Sequence, residues 1–202
     1  RHDDQLNWQL LDTDMTGRPC GKKGKFASKG YFAKQRNRRG RQEGYVIGSW
    51  YDEIVVERLF DGKTQLNKAL QPLIEAAEKA LDLNERQRQR TILRIDAGGG
   101  SVDDLNWALA RGYQIHGKDY SGSRAKTLAE SVKEWMMDPL DSSRQMGWVT
   151  AETDVYCRPV KRIAVRCQKK NGQWGVGVIL STLSPKDALW LTGGYEQDGD
   201  DP

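Results

Sequence analysis

The stretch RTILRIDAGGGSVDDLNWALARGYQIHGK, residues 90–118, constrains the fold more than any other. It opens with a short apolar run of the kind that lies buried in a sheet, and the run ends at Asp96 and three glycines. Ser101 followed three residues later by Asp104 is a helix-start signature, because a cap oxygen can accept from the free N–H of the first turn. Leu105, Ala108 and Leu109 then recur at helical spacing, and Gly112 suits the left-handed position that closes a helix. YQIHGK reads as a second strand. A strand, a helix and a strand in so short a span imply a mixed α/β sheet.

The flanking chain extends that pattern. Strand signals occur at 6–14 and again at 44–60, the latter closing on the turn pair Asp61-Gly62. Residues 66–83 place Leu66, Ala69, Leu70, Leu73, Ile74, Ala77 and Leu81 on one helical face, with Pro72 marking either the true start or a kink. SRAKTLAESVKEWMM, residues 123–137, predicts an amphipathic helix through Ala125, Leu128, Ala129, Val132 and Trp135. Residues 1–137 therefore read as an α/β core. Past Asp138-Pro139 the character turns β-rich, with RIAVRCQ and WGVGVILS joined at the hairpin signal Asn171-Gly172. Residues 138–183 are expected to form a β-rich lobe, with Trp148, Trp174 and Trp190 in its core. Residues 184–202 begin with a Ser cap and a Pro, and read as the start of a return to the core.

Charge matters here through its distribution. The net charge is only +4, but ten Lys and Arg and no acid fall between Arg18 and Arg41. Such a run is usually a solvated loop; its length and the interleaved Phe26, Tyr31 and Phe32 favour a nucleic-acid contact. Lys29, Lys34, Arg36, Arg38, Arg39 and Arg41 are the candidate phosphate contacts. Arg158, Lys161, Arg162, Arg166, Lys169 and Lys170 form either a second basic surface or the polar faces of alternating strands. No run reaches the ~20 apolar residues of a membrane span, so no membrane partner is expected. Three cysteines without metal-ligand spacing read as reduced thiols in a cytoplasmic protein. The first residue is Arg and the last are DGDDP, and both ends read as cut from a longer polypeptide.

LLDTDMTG, residues 10–17, carries the chemistry. Asp12 and Asp14 point the same way on a strand, and two like charges on one face need compensation. Taken alone, D-x-D-x-T is the loop of haloacid-dehalogenase-type phosphatases, with Asp12 as nucleophile and Asp14 as acid/base. The supporting lysine and paired acids of that family are not found in place. The other reading brings an Asp of the first strand beside Asp96 of a later, buried strand. Carboxylates gathered so bind Mg²⁺, a hard ion that takes oxygen ligands, and two such ions can serve phosphodiester chemistry. This is the RNase H-like arrangement. The Gly triplet after Asp96 reads as close packing against that strand, and His116 as a hydrogen-bonded core residue.

In LLDTDMTG, SKGYFAKQRNRRGRQEGYVIG, RTILRIDAGGGSVDDLNWALARGYQIHGK and the β-rich segment after them, nearly the whole chain resembles bacterial insertion-sequence transposases of the DDE class. The resemblance implies an RNase H-like α/β sheet with flanking helices and an inserted β-rich lobe. It implies Mg²⁺-dependent cleavage of DNA at element ends and strand transfer to target DNA, with Mn²⁺ as a substitute metal. Asp96 takes the second metal position. Asp14, before Thr16, takes the first, with Asp12 as the alternative. The third acid of the family, a Glu in a Tyr/Arg/Glu/Lys signature, has no counterpart; Glu130, Glu134 and Glu196 are the nearest substitutes. The resemblance further implies a homo-oligomer in the synaptic complex and a nucleoid-associated bacterial protein. A DNA-binding remnant without catalysis is the remaining alternative.

Overall fold

Strand β5 (Thr91–Ile95) lies at the centre, with four of its five residues buried. The computed structural model describes residues 8–183, apart from 33–34, 97–98, 120, 140, 152–154 and 170. To one side β5 pairs in parallel with β1 (Gln9–Pro19), and to the other in parallel with β6 (Gln114–Lys118). The link from β5 to β6 is α3 (Val102–Ala110), as a parallel pair requires a crossover. Ser101 caps α3 by accepting from the Asp104 N–H, and Gly112 adopts φ +98° just past its end. Both were legible in the sequence.

β1 also pairs antiparallel with the 14-residue β3 (Gln35–Gly48), and β3 pairs antiparallel with β4 (Glu53–Asp61). The core order is therefore β4-β3-β1-β5-β6, with β3 alone running opposite to the other four: an RNase H-like mixed sheet. Helix α1 (Leu66–Leu81) packs on one face, and the six apolar residues from Leu66 to Ala77 that helical spacing selects are all buried. Pro72 lies inside α1 without breaking it. The short α2 (Glu85–Gln89), closed by an Asn84–Gln87 capping box, follows.

The β-rich segment joins this sheet edge-on. β10 (Trp174–Ser181) pairs antiparallel with β6, and β9 (Lys161–Gln168), β8 (Asp141–Trp148) and β7 (Met136–Asp138) follow outward. The β9–β10 turn contains Gly172 at φ +78°, as Asn171-Gly172 predicts.

Three expectations change. The helix predicted over 123–137 is α4 (Gly122–Glu130) and stops at Glu130. The chain there is captured from outside: the Ser131 hydroxyl accepts from Thr150 and Ala151 N–H groups, and the Thr150 hydroxyl donates to the Ser131 carbonyl. Val132 and Trp135 still pack on the core, but from an extended chain that leads into β7. Second, Trp148 and Trp174 are surface residues, 43% and 40% exposed. Trp174 lies beside the Arg166 guanidinium, which also covers Trp135, at 4.5 and 4.1 Å from the ring centres. Trp190 lies outside the described residues.

Third, the described part of the basic run is an antiparallel arm. β2 (Ser28–Phe32) pairs with the first part of β3, and the far end of β1 pairs with β3 through Arg18↔Arg41 and Pro19↔Gly40. Its anchor is Phe32, only 1% exposed. A Cβ on Gly17, Gly30, Gly40 or Gly62 would come within 2.9 Å or less of its ring, so glycine is what lets the ring lie against the backbone. Phe32 is therefore a core residue and offers no stacking surface.

Candidate functional site

Strand alternation sorts β1 into two faces. Leu11, Thr13 and Met15 turn toward the helices, whereas Leu10, Asp12, Asp14, Thr16 and Arg18 share the opposite face. Leu11, Val46, Leu93, Ile95 and Ile115 belong to the main core with α1, α3 and α4. On the opposite face a small cluster of Leu10, Ile92 and Leu183, joined by Trp8 and Trp50, fills one end of the sheet. Beyond it lies a groove of about 1210 Å³. Asp12, Asp14, Arg94, Asp96, His116 and Lys118 all line it.

These six form two successive rungs across the strands. The lower rung follows the ladder: Asp12 faces Arg94, Arg94 faces His116, and His116 faces Ser181. Arg94 grips Asp12 with two parallel donors, Nε to Oδ1 at 2.5 Å and an amino group to Oδ2. The Asp12 carboxylate pushes the Arg94 guanidinium above its ordinary pKa through this hydrogen bond. Burial, and then the Arg94 charge, push His116 down. His116 Nδ1 lies 3.2 Å from the Ser181 hydroxyl, consistent with the hydrogen-bonded reading of this histidine.

The upper rung lies two residues further along each strand. Asp14 is paired with Tyr45 on β3, and Asp96 follows Ile95, the last residue of β5. Continuing the Asp12↔Arg94 and Thr13↔Ile95 register brings Asp14 beside Asp96. This is the carboxyl end of a parallel pair, where open α/β sheets bind ligands. Both aspartates are exposed, and among the described residues neither is in an ion pair. Asp14 Oδ1 accepts from the Met15 N–H at 2.7 Å. The donor set is thus two exposed carboxylates, in no ion pair among the described residues, which suits a hard divalent ion. Asp12 is a poorer ligand and a poorer nucleophile, because Arg94 holds both of its oxygens.

Among the described residues no three carboxylate, histidine or cysteine side chains come together. Glu130 and Glu134 are exposed and do not line the groove, and Glu196 lies outside the described residues. Of the phosphate-contact candidates, Lys29, Arg38, Arg39 and Arg41 are on the arm, with Lys29 directly across from Arg39. Lys34 and the side chain of Arg36 lie outside the described residues. Of the second basic group, Arg158 donates to the Leu109 and Tyr113 carbonyls, Arg162 covers Tyr156, and Arg166 is held between tryptophans. These three serve packing. Sequence reasoning missed Arg94 and Lys118 in the groove and Tyr45 across from Asp14; an Arg two before Asp96 was the available signal for the first.

No family model matches the sequence, and no curated protein does. Among solved structures, the chain is similar to a piggyBac transposase seen by cryo-electron microscopy in a synaptic complex with hairpin DNA. The TM-score is 0.55 at 13% identity, over 87% of this chain and 33% of the other. At that identity the likeness is one of fold, and the chain spans about a third of the length of that transposase. Among the described residues, no helix is long and apolar enough to cross a membrane.

Proposed function

We propose that this chain carries the catalytic core of a DDE-class transposase of an insertion sequence, cleaving DNA at element ends and joining them to target DNA. The observation that supports it best is the upper rung: two carboxylates, Asp14 and Asp96, in no ion pair among the described residues, on neighbouring parallel strands and lining one groove. The transposase likeness of the fold points the same way.

In this reading Asp14 and Asp96 hold Mg²⁺, or Mn²⁺ in its place. Such an ion supplies charge stabilisation to the phosphate and an activated oxygen nucleophile. The chain's own residues do the rest. Asp14 and Asp96 present oxygen donors from rigid strands, so little order is lost on binding. Arg94 neutralises Asp12, which keeps a third carboxylate from crowding the pair. Lys118, beyond Asp96 on β6, adds positive charge at the groove wall where a phosphate oxygen would lie. DNA, at the element ends and the target, is the partner, bound by a homo-oligomer.

The test has two readouts. Mn²⁺ binding is followed by electron paramagnetic resonance on the 202-residue chain, wild type and Asp96→Asn. Strand cleavage of an end-bearing duplex is measured with this chain and with the full coding sequence of its gene. Loss of Mn²⁺ binding in the variant, seen as the sharp spectrum of the free ion persisting, with metal-dependent cleavage by the full-length protein, is the expected result. Metal binding indifferent to Asp96 removes the proposed site. Duplex binding by a full-length protein that never cleaves would make it a DNA-binding remnant.

A further inference from the structure

The basic arm sorts its cations by face. Arg18↔Arg41 is the rung two beyond Thr16↔Glu43, which is itself two beyond Asp14↔Tyr45. Arg18 and Arg41 therefore stand on the same face as Asp14. Arg39, two residues further along β3, continues that face, and Lys29 is its partner on β2. Arg38 and its partner Gly30 fall on the opposite face, where the Arg38 guanidinium donates to Gln35. So four of the cations form a track that leads away from the aspartate pair, and Arg38 is not one of them.

The track is held stiff. Phe32 and the glycines close its other side, and the Cys20 N–H donates to the Arg39 carbonyl. Glu43, buried beneath the track, accepts from Arg18 Nε at 2.7 Å and from the Tyr45 hydroxyl at 2.7 Å, and lies 3.7 Å from Arg41. These bonds hold Glu43 below the ordinary carboxylate range, with the Tyr45 bond the largest cause. One acid thus orients two arginines while Arg18 stays 57% exposed. The other acids paired to this part of β3 are Glu57, across from Tyr45, and Asp61, across from Arg41. Asp61 is occupied by the Ser28 hydroxyl and the Lys63 N–H.

We infer that this face of the arm binds the phosphate backbone of duplex DNA on one side of the cut, and measures its distance from it. The inference rests on the reading of Asp14 and Asp96 as the cutting site. Four strand residues separate Asp14 from Arg18, about 13 Å, and six separate Tyr45 from Arg39, about 20 Å. At 3.4 Å per base pair those spans correspond to phosphates about four and about six base pairs from the cut. A rigid rail of cations at fixed spacing is selective for a duplex, whose phosphates keep their own spacing, over a flexible anionic chain.

The experiment measures the salt dependence of binding to a short duplex in EDTA, where no cutting occurs. Removing Arg18 also strips a partner from buried Glu43, so the decisive variant is Lys29→Ser with Arg39→Ser, compared with Arg38→Ser. The double variant is expected to lose about two units of slope, one per phosphate contact, and Arg38→Ser none. Trimming the duplex to fewer than about six base pairs beyond the cut on the arm side should erase the difference between wild type and the double variant. An unchanged slope in the double variant, or an equal loss from Arg38→Ser, overturns the inference. So does a slope loss that appears on anionic phospholipid vesicles and not on the duplex. Mn²⁺ binding separates the two readings. If Asp96→Asn leaves metal binding intact while the arm slope falls, the cutting site is wrong and the arm still binds DNA. If the metal site holds and the slope does not move, only the arm fails.

Discussion

Asp12 and Asp14 are two residues apart on one face of one strand, with the same chemistry and the same groove in front of them. What separates them is what β5 sets across: Arg94 for Asp12, and by the same register Asp96 for Asp14. In the lower rung a bidentate guanidinium cancels the carboxylate and stitches two parallel strands together. In the upper rung the register sets two like charges on neighbouring strands, with Lys118 beyond Asp96 on β6 and, among the described residues, no ion pair to either aspartate. The first arrangement spends a carboxylate on structure; the second leaves repulsion that a bound cation would relieve. Two adjacent acids in a motif therefore need not share a role, and the neighbouring strand decides which does what.

Removing an acid from each rung in turn separates the two roles. Asp96→Asn or Asp14→Asn should lower Mn²⁺ affinity by more than about 100-fold, beyond the usual loss from outer-shell changes. Either should leave stability within about 0.5 kcal/mol, as expected for an exposed position. Calorimetric metal titration and chemical denaturation check the pair of effects together. An equal loss of metal from Asp12→Asn would collapse the distinction.

Arg94→Ala probes the lower rung from its other side. It should cost about 1–2 kcal/mol, less than a fully buried pair because both partners are partly solvated. It should also free Asp12 to join the upper pair, so metal affinity should rise while stability falls. Opposite movements of the two quantities in one variant are the signature; a fall in both would mean Arg94 also positions the metal-facing pair.

Asp12→Asn is the smaller change. A cost near 1 kcal/mol with unaltered metal titration is expected, since an amide keeps one acceptor for the guanidinium. A double-mutant cycle with Arg94→Ala should return a coupling of about 1 kcal/mol. Zero coupling would mean the pair contributes geometry without energy.

Much of the fold was readable along the chain because it depended on local rules. Helix α1 declared itself by spacing, α3 by Ser101 and Gly112, and the β9–β10 hairpin by Asn171-Gly172. Where the reading went astray, a distant partner had intervened. Helix α4 stops at Glu130 because Thr150 and Ala151 bond to Ser131, which no local signal announces. The arm carries no apolar alternation, yet it is a ladder because β1 and β2 flank β3 and Phe32 seals it from behind. Phe32 itself looked like an aromatic interleaved among cations, and only the glycines of four separate segments made it core.

The candidate site divides along the same line. Asp12, Asp14 and Asp96 could be chosen from the sequence, because alternation fixes which residues of one strand share a face whatever lies beside it. Their division of labour could not. It depends on the register between β1 and β5, strands some eighty residues apart, where Arg94 falls across from Asp12. A shift of one residue would carry Arg94 and Asp96 to the opposite face, and a shift of two would set Arg94 across from Asp14. Sequence alone thus determined which side chains could meet, through the period of the strand. The pairing of the sheet decided which of them did, because a parallel ladder between remote strands is set by the packing of the whole core.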